Sequence, residues 1–482
     1  MSQKHAKCEA LIKRADQHFR AGDVVGACPI YRKALALDKN HAHAKLQLGK
    51  ALMMSGEFGE SIEVLRSAAR KNPNHAPTHT ALGEAYLASG DADRCHESIT
   101  HALSRDPGHA PAIIVGVSAY LDSGRVEDAA RIMDTVEERS DEHVLIRVAR
   151  ARVLRAQKSY SRSVDVLGAL VDEDGIADQH RRIVLHELGD SYDKLGEYDR
   201  AFEMYTRANH GLPLGDPLDP DAVMRAWSSE ALAGVPISGD RDERPVFVAG
   251  LPRSGTTLLE RVIHAHPLGH GVGESPLIPI MARQHPVGTL DREKVGRLGS
   301  EYLAEVSAQV PEGTARIVDK HMEAEKTIGL ISRVLPGARV IHALRDPRDC
   351  CLSAYFHNFG VYVPYSRSLE SIGERYIGFR RLMDYWFESV DLKQFVCVYE
   401  EFVADPEPFT RSLTDFLGLE FDEACLKFHE SREHVRTYSA AQVREPINTS
   451  RTARWKNYER HIGPLLEALG PYADGVCATS TV

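Results

Sequence analysis

Residues 250–257 read GLPRSGTT. Gly250 and Gly255 carry the G-x4-G spacing with which a backbone loop wraps a phosphate group. A loop built for a nucleoside triphosphate would continue with Lys and then Ser or Thr. Thr256 and Thr257 stand there instead, and the cation lies inside the loop at Arg253. That substitution disfavours an ATP- or GTP-dependent kinase and points to a different phosphate ester. Ser254, Gly255, Thr256 and Thr257 offer backbone N–H and hydroxyl donors to one phosphate. A second pair, Arg345 and Ser353, stands eight residues apart later in the chain. The guanidinium fork suits phosphate oxygens because it engages two of them at once.

These residues need elements to hold them. Residues 244–250 (RPVFVAG) read as a short buried strand closed by glycine, and 258–265 (LLERVIHA) as a helix. Strand, glycine loop, helix aims backbone N–H groups and a helix N-terminus at an anion. Residues 339–344 (RVIHAL) read as another buried strand, with Arg345 at its end and a helix following. A glycine loop at one strand's C-terminus and an arginine at another's match an open α/β domain with a parallel sheet.

With both blocks in view, the chain resembles a known family. PRSGTT after a strand is similar to the 5′-phosphosulfate loop of sulfotransferases that use 3′-phosphoadenosine 5′-phosphosulfate (PAPS). Arg345 with Ser353 resembles that family's 3′-phosphate motif. The detailed likeness is to the tyrosylprotein sulfotransferases and bacterial relatives with tetratricopeptide arms. It covers about residues 244–460. His266–Pro267 and then Gly273–Glu274 follow the loop, with a gap one residue longer than in the family. Lys320 falls on the family's catalytic lysine, and VCVYEEFVADP places Tyr399 on the nucleotide. QVREPINTSRTARW places Arg454 near the phosphates. Ser439 adjoins the position of a family serine, where Ala440 stands, and His357 replaces a second basic residue.

The resemblance implies a P-loop-like sulfotransferase fold. It implies transfer of a sulfuryl group from PAPS to an acceptor hydroxyl, releasing 3′-phosphoadenosine 5′-phosphate. Glu274 would be the base, with Arg253 and Lys320 offsetting charge on the transferred and leaving groups. Arg253, Ser254, Gly255, Thr256, Thr257, Arg345, Ser353, Tyr399, Ser439 and Arg454 would bind the nucleotide. The resemblance makes a protein or peptide tyrosine the leading acceptor, whose phenol of pKa about 10 a modest base would serve. The same glutamate would serve a carbohydrate or small hydroxyl compound, so that alternative stays open. So does a catalytically inactive nucleotide-binding scaffold. This charge distribution calls for no metal, and His264, His266 and His270 lack metal-site spacing. Cys350 and Cys351 read as buried small residues of the helix after Arg345.

The first 211 residues differ in kind. Gly22, Gly56, Gly90 and Gly124 recur every 34 residues, as do Gly49 and Gly83, and Ala34, Ala68 and Ala102. Each unit reads as two helices that cannot bury their apolar stripe alone, so neighbours must stack. This resembles the tetratricopeptide repeat. The expected organisation is an all-α tetratricopeptide solenoid over 1–211, a Pro- and Gly-rich linker over 212–243 and the α/β domain over 244–482. The repeats would bind a polypeptide acceptor or partner protein. A spacer role, or an arm for a homodimer, is the competing expectation.

Composition frames this. The chain has 482 residues, 43% hydrophobic and 27% charged, with a net charge of -10. These values exclude a mostly disordered chain and a bulk nucleic-acid binder. Eight scattered cysteines form no CxxC pair and fit a reducing compartment. No stretch is long and apolar enough for a membrane span or signal peptide, so a cytoplasmic location is expected.

Overall fold

The computed structural model describes residues 3–136, 143–321, 323–360, 362–430 and 446–475. The chain divides into two compact units between Glu197 and Tyr198.

The first unit is helical: α1 (Gln3–Arg20), α2 (Val24–Leu37), α3 (Ala42–Met54), α4 (Phe58–Lys71), α5 (Ala76–Ser89), α6 (Ala92–Arg105), α7 (Ala110–Asp122), α8 (Val126–Asp134), α9 (Val144–Ala156), α10 (Tyr160–Val171) and α11 (Asp178–Leu195). Helices pack antiparallel in pairs, and each pair packs on the next. Gly22, Gly56, Gly90 and Gly124 all sit at φ between 71° and 88° in the turn within a pair, where a side chain would be strained. The second periodic set serves packing. A Cβ on Gly49 would lie 2.4 Å from Leu65 Cγ, and one on Gly83 would lie 2.9 Å from Ile99 Cδ1. Ala34, Ala68 and Ala102 are buried in α2, α4 and α6.

The second unit begins with α12 (Tyr198–Asn209), α13 (Pro220–Ala226) and α14 (Ser229–Gly234). Although α12 has repeat-like sequence, its aromatic face packs within this unit: Tyr205 stacks on Phe356 with ring centroids 4.2 Å apart. The compact boundary therefore lies ahead of residue 211, where the composition changes. The expected linker is also folded into this unit. Trp227 is buried, and a Cβ on Gly329 would meet its ring at 2.4 Å.

The α/β core follows as β1 (Pro245–Ala249), α15 (Thr256–His264), β2 (Gly269–Gly273), α16 (Leu277–Gln284), α17 (Arg292–Ser307), β3 (Arg316–Asp319), α18 (Ile328–Val334), β4 (Arg339–Leu344), α19 (Pro347–Tyr355), α20 (Leu369–Ser389), β5 (Lys393–Val398), α21 (Tyr399–Ala404), α22 (Pro406–Leu417) and α23 (Gly463–Leu469). The five strands form one sheet in the order β2-β3-β1-β4-β5. Every pairing is parallel, with Phe247 opposite Asp319 on one side and Val340 on the other. The central strands β1 and β4 are buried along their whole length, as their mostly apolar sequences suit when helices cover both faces, and β4 also buries Arg339 and His342. Strand β2 is GHGVG and has no apolar signal. Its glycines permit contact with α15, because a Cβ on Gly269 would meet Ile263 O at 2.1 Å.

Candidate functional site

Each strand hands its next residue to the same edge of the sheet. Gly250 follows β1, Glu274 follows β2, Lys320 follows β3, Arg345 follows β4 and Tyr399 follows β5. Parallel strands end on one side, so five separate stretches of sequence converge there. Ligands bind at this C-terminal edge in open α/β sheets.

The loop after β1 makes the centre. A Cβ on Gly250 would meet Ser254 Oγ at 2.6 Å and Ala343 Cβ at 2.9 Å, so only glycine lets the chain turn so tightly. Arg253 holds φ at 74° and Gly255 at 100°. Arg253 is not glycine, and strain of this kind persists where surrounding contacts and function require the geometry. Helix α15 then starts at Thr256, with Thr257 beneath it, so the helix N-terminus faces the loop as anion binding requires.

Arg253 Nε donates to Ser353 Oγ on α19 at 3.1 Å. Arg345 Nη1 donates to Arg253 O at 2.9 Å, and its Nη2 to Arg451 O at 2.6 Å. The Arg345 guanidinium lies 4.8 Å from the centre of the Tyr399 ring. The two sequence blocks thus join directly through side chains and loop carbonyls. Burial, and then the positive charges of Arg345, Arg451 and Arg454, pull the Arg253 guanidinium down to about 9. Like charges gathered in a desolvated place are costly, and an anion between them removes that cost. Ser254 Oγ and Arg345 Nε are buried with no described protein partner, and both can bond to phosphate oxygens. Arg253, Thr256, Arg345, Tyr399, Asn448 and Arg451 are among the residues lining one cleft here.

On the other side of the loop, Lys320 Nζ bonds Glu274 Oε1 at 2.6 Å. Lys320 is 5% exposed, whereas the Glu274 carboxyl end reaches solvent with 35% of its side chain accessible. A base must meet an incoming acceptor, and this exposure permits it. Glu260 on α15 is a second carboxylate near Lys320. Burial pushes it up, while Lys320 and the Gly273 N–H pull it down.

Likeness to known proteins completes the picture. The sulfotransferase family matches residues 245–423, and tetratricopeptide repeat families match 18–112, 116–175 and 184–213. The chain carries a sulfotransferase domain joined to tetratricopeptide repeats. An uncharacterised protein of Aquifex aeolicus is 26% identical over 65% of this chain and 44% of its own length. Protein-tyrosine sulfotransferase 1 of Danio rerio is 25% identical over 50% of this chain and 76% of its own. Protein-tyrosine sulfotransferase of Drosophila melanogaster is 23% identical over 49% and 54%. The chain thus spans less than half of the Aquifex relative.

The sulfotransferase domain brings together Arg253, Ser254, Gly255, Thr256, Thr257, Arg345, Ser353 and Tyr399, with Arg454 adding to the positive field at Arg253. Glu274 and Lys320 form the second group, linked to the first through the loop and α15. Ser439 lies outside the described residues. Cys350 and Cys351 are buried in α19, and burial pushes the Cys350 thiol up to about 12. Sequence reasoning missed Arg451 and Glu260. The first lies in the same basic segment as Arg454, and that charge density was its only signal. The second sits in the helical stretch 258–265, where nothing in the sequence singles it out. Among the described residues, no three His, Cys, Asp or Glu side chains are grouped to hold a metal, and no helix is long and apolar enough to cross a membrane.

Proposed function

We propose that the sulfotransferase domain moves a sulfuryl group from PAPS to an acceptor hydroxyl, and that the acceptor is a protein or peptide tyrosine. The observation that carries this reading is the gathering at the sheet edge of half-buried Arg253, Arg451 and Arg454 around buried Arg345, which donates to the carbonyls of Arg253 and Arg451. The unsatisfied Ser254 Oγ and Arg345 Nε fit the oxygens of a doubly phosphorylated nucleoside. The loop from Arg253 to Thr257 would hold the 5′ end, and Arg345 with Ser353 the 3′-phosphate. The second phosphate would separate this nucleotide from ATP.

In the transfer, the acceptor oxygen forms a bond to sulfur as the bond from sulfur to the bridging phosphate oxygen breaks. The acceptor proton passes to Glu274, and the electron pair stays on the departing phosphate. Arg253 and Lys320 offset that charge where it grows. Before substrate arrives, Lys320 is tied to Glu274. Drawing Lys320 toward the sulfuryl oxygens frees the carboxylate as a base at the step that needs one. The tyrosine acceptor is supported by the named relatives from zebrafish and fly, and by repeats suited to recruiting polypeptide.

Radiolabelled PAPS offered with tyrosine peptides and, separately, with oligosaccharides tests the acceptor. Label is expected in the peptides; label confined to the sugars would overturn the tyrosine assignment. Glu274→Gln should lower transfer by roughly 10²-fold or more while 3′-phosphoadenosine 5′-phosphate still binds. Transfer at the wild-type rate would remove Glu274 as base.

A further inference from the structure

Glu274 is held from both sides by buried carboxylates. On one side, Glu260 Oε1 accepts the Gly273 N–H at 3.0 Å. On the other, Asp319 Oδ1 accepts the Ser275 N–H at 3.4 Å, while Tyr302 donates its hydroxyl to Asp319 Oδ2 at 2.9 Å. The Gly273 carbonyl in turn accepts the Lys320 N–H at 2.9 Å. Glu260 is 8% exposed and reaches Gly273 across strand β2. It can do so because Gly271 has no side chain: a Cβ there would meet Glu260 Cγ and Oε1 at 2.9 Å. Gly273 itself holds φ at 77°, which glycine adopts freely, so its own backbone preference does not fix the turn and the Glu260 hydrogen bond can.

We propose that Glu260 is a positioning residue for Glu274. Its carboxylate fixes Gly273, and Gly273 fixes the direction from which the Glu274 side chain meets the acceptor, without Glu260 touching substrate. The proposal rests on Glu274 being the base. The charges facing Glu260 are Lys320, Glu274 and His264. Burial disfavours the ionised form that accepts the Gly273 N–H most strongly, and Lys320 and that N–H restore it. Protonating Glu260 as pH falls weakens the anchor, so transfer should fail at a higher pH than a simple exposed carboxylate would set.

The test compares Glu260→Ala and Glu260→Gln in the full chain. Amide exchange at Gly273 should quicken about ten-fold in Glu260→Ala, while Glu260→Gln, which keeps an acceptor oxygen, stays nearer wild type. In transfer assays Glu260→Ala should lower kcat about ten-fold with the KM for PAPS within two-fold, and Glu260→Gln should restore most of kcat. The acid limb of kcat should move to lower pH in Glu260→Gln, because the amide does not titrate. Unchanged exchange in Glu260→Ala overturns the anchor. Unchanged kcat, or an acid limb that stays in place in Glu260→Gln, overturns the role of Glu260 while leaving Glu274 as base. A wild type that transfers nothing overturns the assignment of Glu274 instead, and the exchange data still report on the anchor.

Discussion

Replacing Arg345 by Met would separate the loop-holding contacts of its guanidinium from the phosphate-binding role proposed for it. Arg345 is 6% exposed and donates to the carbonyls of Arg253 and Arg451. Losing those two bonds loosens the loop by up to about 1 kcal/mol each, and this loss falls equally on any adenosine nucleotide. In the proposed reading, Arg345 Nε, buried and without a described partner, would be the donor left for the 3′-phosphate. A charge-assisted bond of that kind contributes roughly 1.5–3 kcal/mol. Arg345→Met should therefore weaken adenosine 5′-phosphate by no more than ~2 kcal/mol, about 30-fold. It should weaken 3′-phosphoadenosine 5′-phosphate by ~3.5–5 kcal/mol, so that discrimination between the two falls by roughly 10- to 100-fold. Met keeps the bulk beside Tyr399, and far-UV circular dichroism checks that the fold persists. Calorimetric titrations of both nucleotides at one ionic strength read the difference, since phosphate binding depends on salt. Equal fold-losses for the two would refute the placing of Arg345 at the 3′-phosphate.

Lys320→Met should lower sulfuryl transfer by roughly 10²-fold or more, with nucleotide binding much less affected, as steady-state rates beside calorimetry would show. His342 is wholly buried in β4, and burial holds its imidazole down at about 4 against an ordinary 6.5. The unfolded chain takes up that proton first, so stability from the neutral ring is fully present above about pH 6.5 and is lost as pH falls toward 4. The loss is on the order of 3 kcal/mol. Urea titrations followed by the fluorescence of Trp227, Trp386 and Trp455, all in the second unit, should show that slope, and His342→Gln should flatten it. Gly49→Ala should destabilise the repeat unit by about 1–3 kcal/mol, because the new methyl overlaps Leu65, and a lower thermal midpoint of the helical signal would report it.

The repeats and the phosphate loop were legible in the chain because their causes are local. A turn glycine every 34 residues repeats one steric demand, and the observed positive φ values answer it. The strand expected at 339–344 matches β4 (Arg339–Leu344), because a short, mostly apolar segment is its own signal. The loop from Gly250 to Gly255 is contiguous, so its tight turn could be read from six letters. The tertiary structure decided everything that depends on strand order. Placing β3 between β1 and β2 puts Lys320 against Glu274, 46 positions away, and placing β4 on the other side of β1 puts Ser353 within reach of Arg253, 100 positions away. It also decided that Glu260 is buried beneath Gly273, and that Tyr198–Asn209 packs with the second unit despite its repeat-like letters. Local sequence specifies which backbone conformations and which apolar faces exist. Which charges end up sharing a desolvated space depends on how distant segments stack, and no spacing within a single segment encodes that.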